Sequence, residues 1–114
     1  MICGKRTSNR REYYRTPRAQ CATSPSIATT RSLAQLATYD AFHLVDIFLT
    51  QPVLIVAGSQ AGTRWMSEDL YKRAANKDKN LHIVKGGTHI SMYDKPDLVG
   101  EAMSRLVPFF QKNL

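Results

Sequence analysis

A histidine set just beyond a pair of glycines is the residue of this chain best placed to do chemistry. Leu81-His82-Ile83-Val84 reads as a short apolar strand, Lys85-Gly86-Gly87 as the turn that stops it, and Thr88-His89 as the loop beyond that turn. Imidazole is the side chain that exchanges protons near neutral pH, so a histidine in a loop after a strand suits general acid-base work. A strand that ends in a Gly-Gly turn presents that ring at the carboxyl edge of a sheet, where open α/β folds carry their sites. His89 is the candidate catalytic residue on this reading, and the plain alternative is a histidine that only hydrogen-bonds within its turn.

The groups that could work with it are few. A base acting on a serine or cysteine also needs a carboxylate to set its tautomer and steady the imidazolium. Cys3 and Cys21 have no strand before them, and they lack the further Cys or His that would make a zinc set or a disulfide framework. They point to a reducing, cytoplasmic setting. His43 lies beside an apolar helical stripe and His82 within a strand, which makes both structural. With His89 they supply no evident metal site, and the sequence points to no metal and no cofactor.

The elements that must position His89 are set by apolar spacing. Leu33, Leu36, Ala37, Ala41, Leu44, Ile47 and Phe48 recur at three and four, which predicts one helix from about Ser32 to Leu49, with Ser32 and Gln35 spaced as a capping box. Pro52 ends it. Val53 to Ala57 is continuously apolar and closed by Gly58, the pattern of a strand buried on both faces of a parallel sheet. Ser67 is placed to cap a second helix, with Glu68 and Asp69 in its first turn and Leu70, Tyr71, Ala74 and Ala75 on its buried face. Leu81 to Val84 is the second strand. Asp94 and Pro96 open a last helix through Leu98, Val99, Ala102, Leu106, Phe109 and Phe110, with Pro108 expected to kink it or loosen its last turn.

Strand, helix, strand implies parallel strands joined by a right-handed crossover, hence an α/β architecture. Two such strands make an incomplete sheet. Each keeps an unpaired edge, and one as apolar as Val53 to Ala57 calls for a cover. The chain reads as the end of a larger sheet.

Charge divides the molecule. Of a net +7, residues 1–31 hold seven cations against Glu12, and residues 32–114 are nearly neutral. The first segment is rich in Arg, Ser, Thr and Pro and reads as irregular. Its arginines could serve an anionic surface, but no nucleic-acid motif accompanies them, which argues against nucleic acid as a partner. It has no apolar run of secretory length, and no stretch approaches a membrane span.

The wording of several segments is specific enough to suggest a family. Pro52-Val53-Leu54-Ile55-Val56-Ala57-Gly58-Ser59, Ser67-Glu68-Asp69-Leu70-Tyr71 and Gly86-Gly87-Thr88-His89-Ile90-Ser91-Met92-Tyr93-Asp94 resemble the carboxyl-terminal part of an α/β-hydrolase, nearest the dienelactone-hydrolase-like and acetyl-xylan-esterase-like enzymes. The resemblance runs from Tyr39 to Leu114, and Tyr14 to Arg18 is similar to the approach to that region. It implies that the two strands deliver the acid and then the histidine of a catalytic triad, with His89 as the base.

Two departures come with the resemblance. The chain has no Gly-x-Ser-x-Gly elbow, and Ser59 stands in the loop that carries the acid rather than the nucleophile. Where such sequences place an aspartate, this one has Gly62. Glu68 and Asp69 are better explained as helix charges, and Asp40 and Asp46 are weaker substitutes. The resemblance therefore implies a fragment of a serine-type ester hydrolase that is inactive alone, whose partner is a complementary hydrolase half or a second copy met through the sheet edge. The alternative is a non-catalytic binding module that uses the sheet edge or the basic arm.

Overall fold

The structure is a computed structural model that describes residues 6–24 and 27–114. Cys3, Lys5 and Pro25, on which parts of the reading of the basic segment rest, lie outside the described residues. The chain divides into two compact units, Met1–Ala41 and Phe42–Leu114. Among the described residues no helix is long and apolar enough to cross a membrane.

The first unit is more regular than its composition suggests. A helix, α1, spans Arg6–Arg15, where the composition predicts an irregular segment. Arginine and glutamate are good helix formers and no proline interrupts them, so local propensity suffices without an apolar stripe. Pro17 disfavours helical geometry in Thr16, and α1 stops there. The Thr16 hydroxyl turns back to the carbonyl of Glu12, and Arg18 reaches the Glu12 carboxylate at 3.4 Å while lying over the Tyr13 ring.

A second helix, α2, spans Thr30–Thr38. Its cap is Thr29 and not Ser32: the Thr29 hydroxyl accepts from the Ser32 amide at 3.2 Å. Leu33 and Leu36, the apolar stripe of α2, are more than half exposed. Between the helices the exposed Cys21 thiol is held below its ordinary pKa, first by its hydrogen bond with the Thr23 side chain at 3.1 Å. A lowered thiol pKa means more thiolate at a given pH. Iodoacetamide should therefore alkylate Cys21 faster at pH 8 than it alkylates an unstructured cysteine peptide, and Thr23→Ala should slow it. Equal rates for the protein with and without Thr23 would refute that hydrogen bond.

The single helix expected over Ser32 to Leu49 is two. After α2 the chain turns, and α3 takes up only Val45–Phe48. Leu44, just before α3, has φ 57, a left-handed backbone that no continuous helix contains. At the end of α2 the Thr38 hydroxyl bonds back to the Gln35 carbonyl at 3.1 Å, the competition by which threonine ends helices. Apolar periodicity survives such a break because it records which side is apolar and not whether the backbone is continuous.

The second unit is the α/β part. Strand β1 (Val53–Gly58) and strand β2 (Lys79–Val84) pair in parallel, with Val53 opposite Lys79 and Gly58 opposite Val84. Helix α4 (Arg64–Arg73) joins them, and a short α5 (Ser91–Asp94) and a long α6 (Pro96–Asn113) come after β2. The parallel α/β architecture expected from the sequence is present as this two-stranded sheet.

Alternation along the strands sets the layers. Lys79 reaches the carbonyls of Lys72 and Ala74 at the end of α4, at 3.2 and 2.8 Å. His82, on the other face, meets Glu101 of α6 at 2.9 Å. The two helices thus cover opposite faces, with Ile55, Ala57 and Ala74 buried towards α4 and Val84 and Ala102 towards α6. Val84 is 0% exposed and anchors the layer beneath the histidine loop. Helix α6 runs on through Pro108 to Asn113.

Candidate functional site

Two loops leave the carboxyl ends of β1 and β2, and hydrogen bonds join them residue by residue. The Ser59 amide donates to the Val84 carbonyl and the Gln60 amide to the Gly87 carbonyl, each at 2.9 Å. In return the Gly86 amide donates to the Ser59 hydroxyl at 2.9 Å. Where the loops touch, both partners are glycine. A Cβ on Gly58 would run into the Gly87 carbonyl, and one on Gly87 would meet Met92 Sδ and Gly58 Cα. Gly86 has φ 77, a backbone that glycine adopts without strain.

Thr88 then sets the pose of His89. The Ser91 amide donates to the Thr88 hydroxyl at 3.1 Å, and the Thr88 amide donates to the Ser91 hydroxyl at 2.8 Å. That reciprocal pair is the geometry of a capping box, with serine in the place of the usual glutamate. It puts His89 at the start of a helical turn and Tyr93 four residues on, on the same face.

Both ring nitrogens of the exposed His89 are met by hydroxyls. Thr63 Oγ1 lies 3.3 Å from Nδ1, and the Tyr93 hydroxyl lies 2.6 Å from Nε2, with the two rings edge to face. Thr63 is the cap residue of α4, yet its side chain makes no capping bond, since its hydroxyl points to the histidine. This also moves the helix start. Arg64 opens α4, Ser67 lies inside it, and Glu68 and Asp69 fall in its second turn, where Arg64 and Arg73 take them at 2.7 and 3.3 Å. Those two carboxylates are thereby engaged away from the imidazole.

The other residues singled out in the sequence lie elsewhere. Ser59 is the acceptor that ties the loops together, Gly62 is exposed beside Thr63, His43 is exposed on the turn before α3, and His82 pairs with Glu101. Among the described residues no three His, Cys, Asp or Glu side chains converge as a metal site. Thr63 and Tyr93 escaped the sequence reading. Tyr93 carried a signal in its spacing of four from His89, whereas Thr63 carried none beyond its place next to Gly62.

A neutral imidazole has one N–H and one lone pair, and a hydroxyl can serve either. Thr63 and Tyr93 therefore satisfy both tautomers of His89 and select neither. A carboxylate at Thr63 accepts only, and it would hold the proton on Nδ1. In Thr63→Asp the imidazole ¹⁵N shifts should move towards the Nδ1–H form relative to the unsubstituted chain. Unchanged shifts would show that residue 63 does not face the ring.

No protein-family model matches the chain. It is 57% identical over 103 residues to the uncharacterized protein YcjY of Escherichia coli, a match that takes in 90% of this chain and 34% of that protein. It is 28% identical over 106 residues to the uncharacterized protein PA2218 of Pseudomonas aeruginosa, across 90% of this chain and 28% of that one. The crystal structure of the hypothetical protein PA2218 matches all of this chain and 36% of that chain, with a TM-score of 0.77 at 28% identity. The chain spans about a third of the length of the curated relatives it matches.

Proposed function

We propose that this chain is the carboxyl-terminal portion of an α/β-hydrolase that cleaves esters or related acyl compounds, and that it is inert alone. The observation that carries the reading is the pose of His89, at the carboxyl edge of β2 with Nδ1 against the loop that leaves β1. That is the relation a triad base has to its acid-bearing loop, here with a threonine hydroxyl in place of a carboxylate. The wording of the loop sequences supports the same family, and the short span relative to the relatives fits a part of a larger fold.

In the complete site a serine from outside these residues attacks the acyl carbonyl while His89 Nε2 takes its proton, then returns it to the leaving group. The Tyr93 hydroxyl now holds that nitrogen and would yield it to the serine. We place the chain in a reducing cytoplasm, where cysteines without a disulfide framework persist as thiols.

The test is a chimera in which this chain replaces the matching 103 residues of YcjY. The chimera is expected to hydrolyse a short-chain nitrophenyl ester, and the 114-residue chain is not. If a folded chimera and YcjY itself both leave every acyl ester tried intact, the hydrolase reading fails.

A further inference from the structure

The two free edges of the sheet are not alike. Strand β2 carries Lys79, with Lys85 just past its end, charges of the kind with which natural sheet edges discourage further pairing, and the polar His82 beside Glu101. Strand β1 carries none: Val53, Leu54, Ile55, Val56 and Ala57 are apolar on both faces, as in a strand from the middle of a sheet. Its packing is uneven to match. Ile55 and Ala57 are buried, while Val53, Leu54 and Val56 are only half-buried.

The hydrogen bonds show which amides are spare. Val53 donates to the Asp78 carbonyl and Ser59 to the Val84 carbonyl, so the odd-numbered amides of this stretch point to β2. In a parallel ladder the amides between them point the other way. Leu54 and Val56 thus offer their N–H groups to the unpaired edge. A groove of about 500 Å³ lies between the sheet and α6, lined by Leu54 of β1, by Asn80, Leu81 and His82 of β2 and by Pro108 and Phe109 of α6. On α6, Met103, Val107 and Phe110 form an apolar stripe with 47, 44 and 50% of their surface exposed.

We infer that the free edge of β1 is a docking site for a β-strand supplied by the polypeptide that makes up the rest of the relatives' length. The size of the match argues for this occupant. The whole of this chain takes up 36% of the PA2218 chain at a TM-score of 0.77, so a backbone like this one occurs within a chain nearly three times as long. A strand that is apolar on both faces and short of one neighbour is what such a division leaves behind. The inference is independent of any chemistry at His89.

The experiment co-expresses the 114-residue chain with a tagged polypeptide carrying the part of YcjY outside the matched 103 residues. Sedimentation should give a one-to-one complex. Amide exchange should slow about tenfold or more at Leu54 and Val56 on complex formation, with Ile55 and Ala57 protected in both states. Val56→Pro removes only an outward N–H, which an edge strand tolerates, so it should keep the far-UV spectrum of the free chain and lose the complex. Ile55→Pro removes a bond to β2 and should disrupt the free chain.

The inference is overturned if no complex forms, or if a complex forms without slower exchange at Leu54 and Val56. It also falls if the chain alone is a dimer with those two amides protected, which would make a second copy the occupant. A folded Val56→Pro chain that still binds would be equally decisive against it. Should Val56→Pro not fold, the exchange of Leu54 and Val56 in the unsubstituted chain decides.

Discussion

His89→Ala, placed in the chimera with YcjY, is expected to lower kcat for ester hydrolysis by about a thousandfold or more, the scale on which a triad fails without its base. The 114-residue chain should not notice the same change. Its sequence contains no Gly-x-Ser-x-Gly, and Ser59, whose hydroxyl accepts from the Gly86 amide, is spent on joining the loops. His89 is exposed and among the described residues its ring nitrogens meet two hydroxyls, so its loss should cost the isolated fold no more than about 0.5 kcal/mol, as at ordinary surface positions. The contrast between the two settings carries the meaning. A fall in stability of the 114-residue chain without a fall in chimera turnover would make His89 a structural residue of its turn, and the catalytic assignment would be lost.

Gly58→Ala is expected to produce the largest loss of stability among the alanine substitutions of Gly58, Gly86 and Gly87, about 3 kcal/mol or more. Overpacking that must displace backbone sits at the upper end of its range. The added carbon meets the carbonyl of Gly87, and no side-chain rotation relieves that contact. Gly87→Ala should cost less, since Met92 Sδ, a flexible side-chain end, is the first atom met. Gly86→Ala has open space around it and loses only the left-handed conformation, about 1 to 2 kcal/mol. Urea midpoints of the three variants should fall in that order. If Gly58→Ala lay within about 1 kcal/mol of the parent chain, the close approach of the two loops would be refuted.

What was legible in the sequence and what was not divides along a physical line. The parallel pair could be read because Val53 to Ala57 and Leu81 to Val84 are apolar runs separated by one helix length, and nothing else accommodates them. The place of His89, just past the sheet, could be read because Gly86 and Gly87 mark where the chain leaves β2. The α1 helix was hidden because Arg6–Arg15 forms by local preference, with none of the periodic apolar signal on which helix reading depends. The start of α4 was misplaced because Thr63 gives its hydroxyl to a histidine 26 residues away, and a cap spent on a distant partner has no local signature. The break at Leu44 likewise depends on backbone conformation at a residue whose type gives no warning.

The bonds between the two loops also bear on how the site comes into being. Ser59 with Gly86 and Thr63 with His89 span 27 and 26 residues, and Gln60 with Gly87 bridges the same interval. Closing a loop of that length carries an entropy cost that depends only weakly on where along it the ends meet. The pairing of β1 with β2, whose partners Val53 and Lys79 through Gly58 and Val84 lie the same distance apart in the chain, bears nearly all of it, and the loop contacts form within a ring already shut. The histidine's surroundings should therefore appear and vanish together in folding experiments, as one cooperative event that comes after completion of the β1-α4-β2 crossover, and removing the Thr63 hydroxyl alone should leave the ring closed.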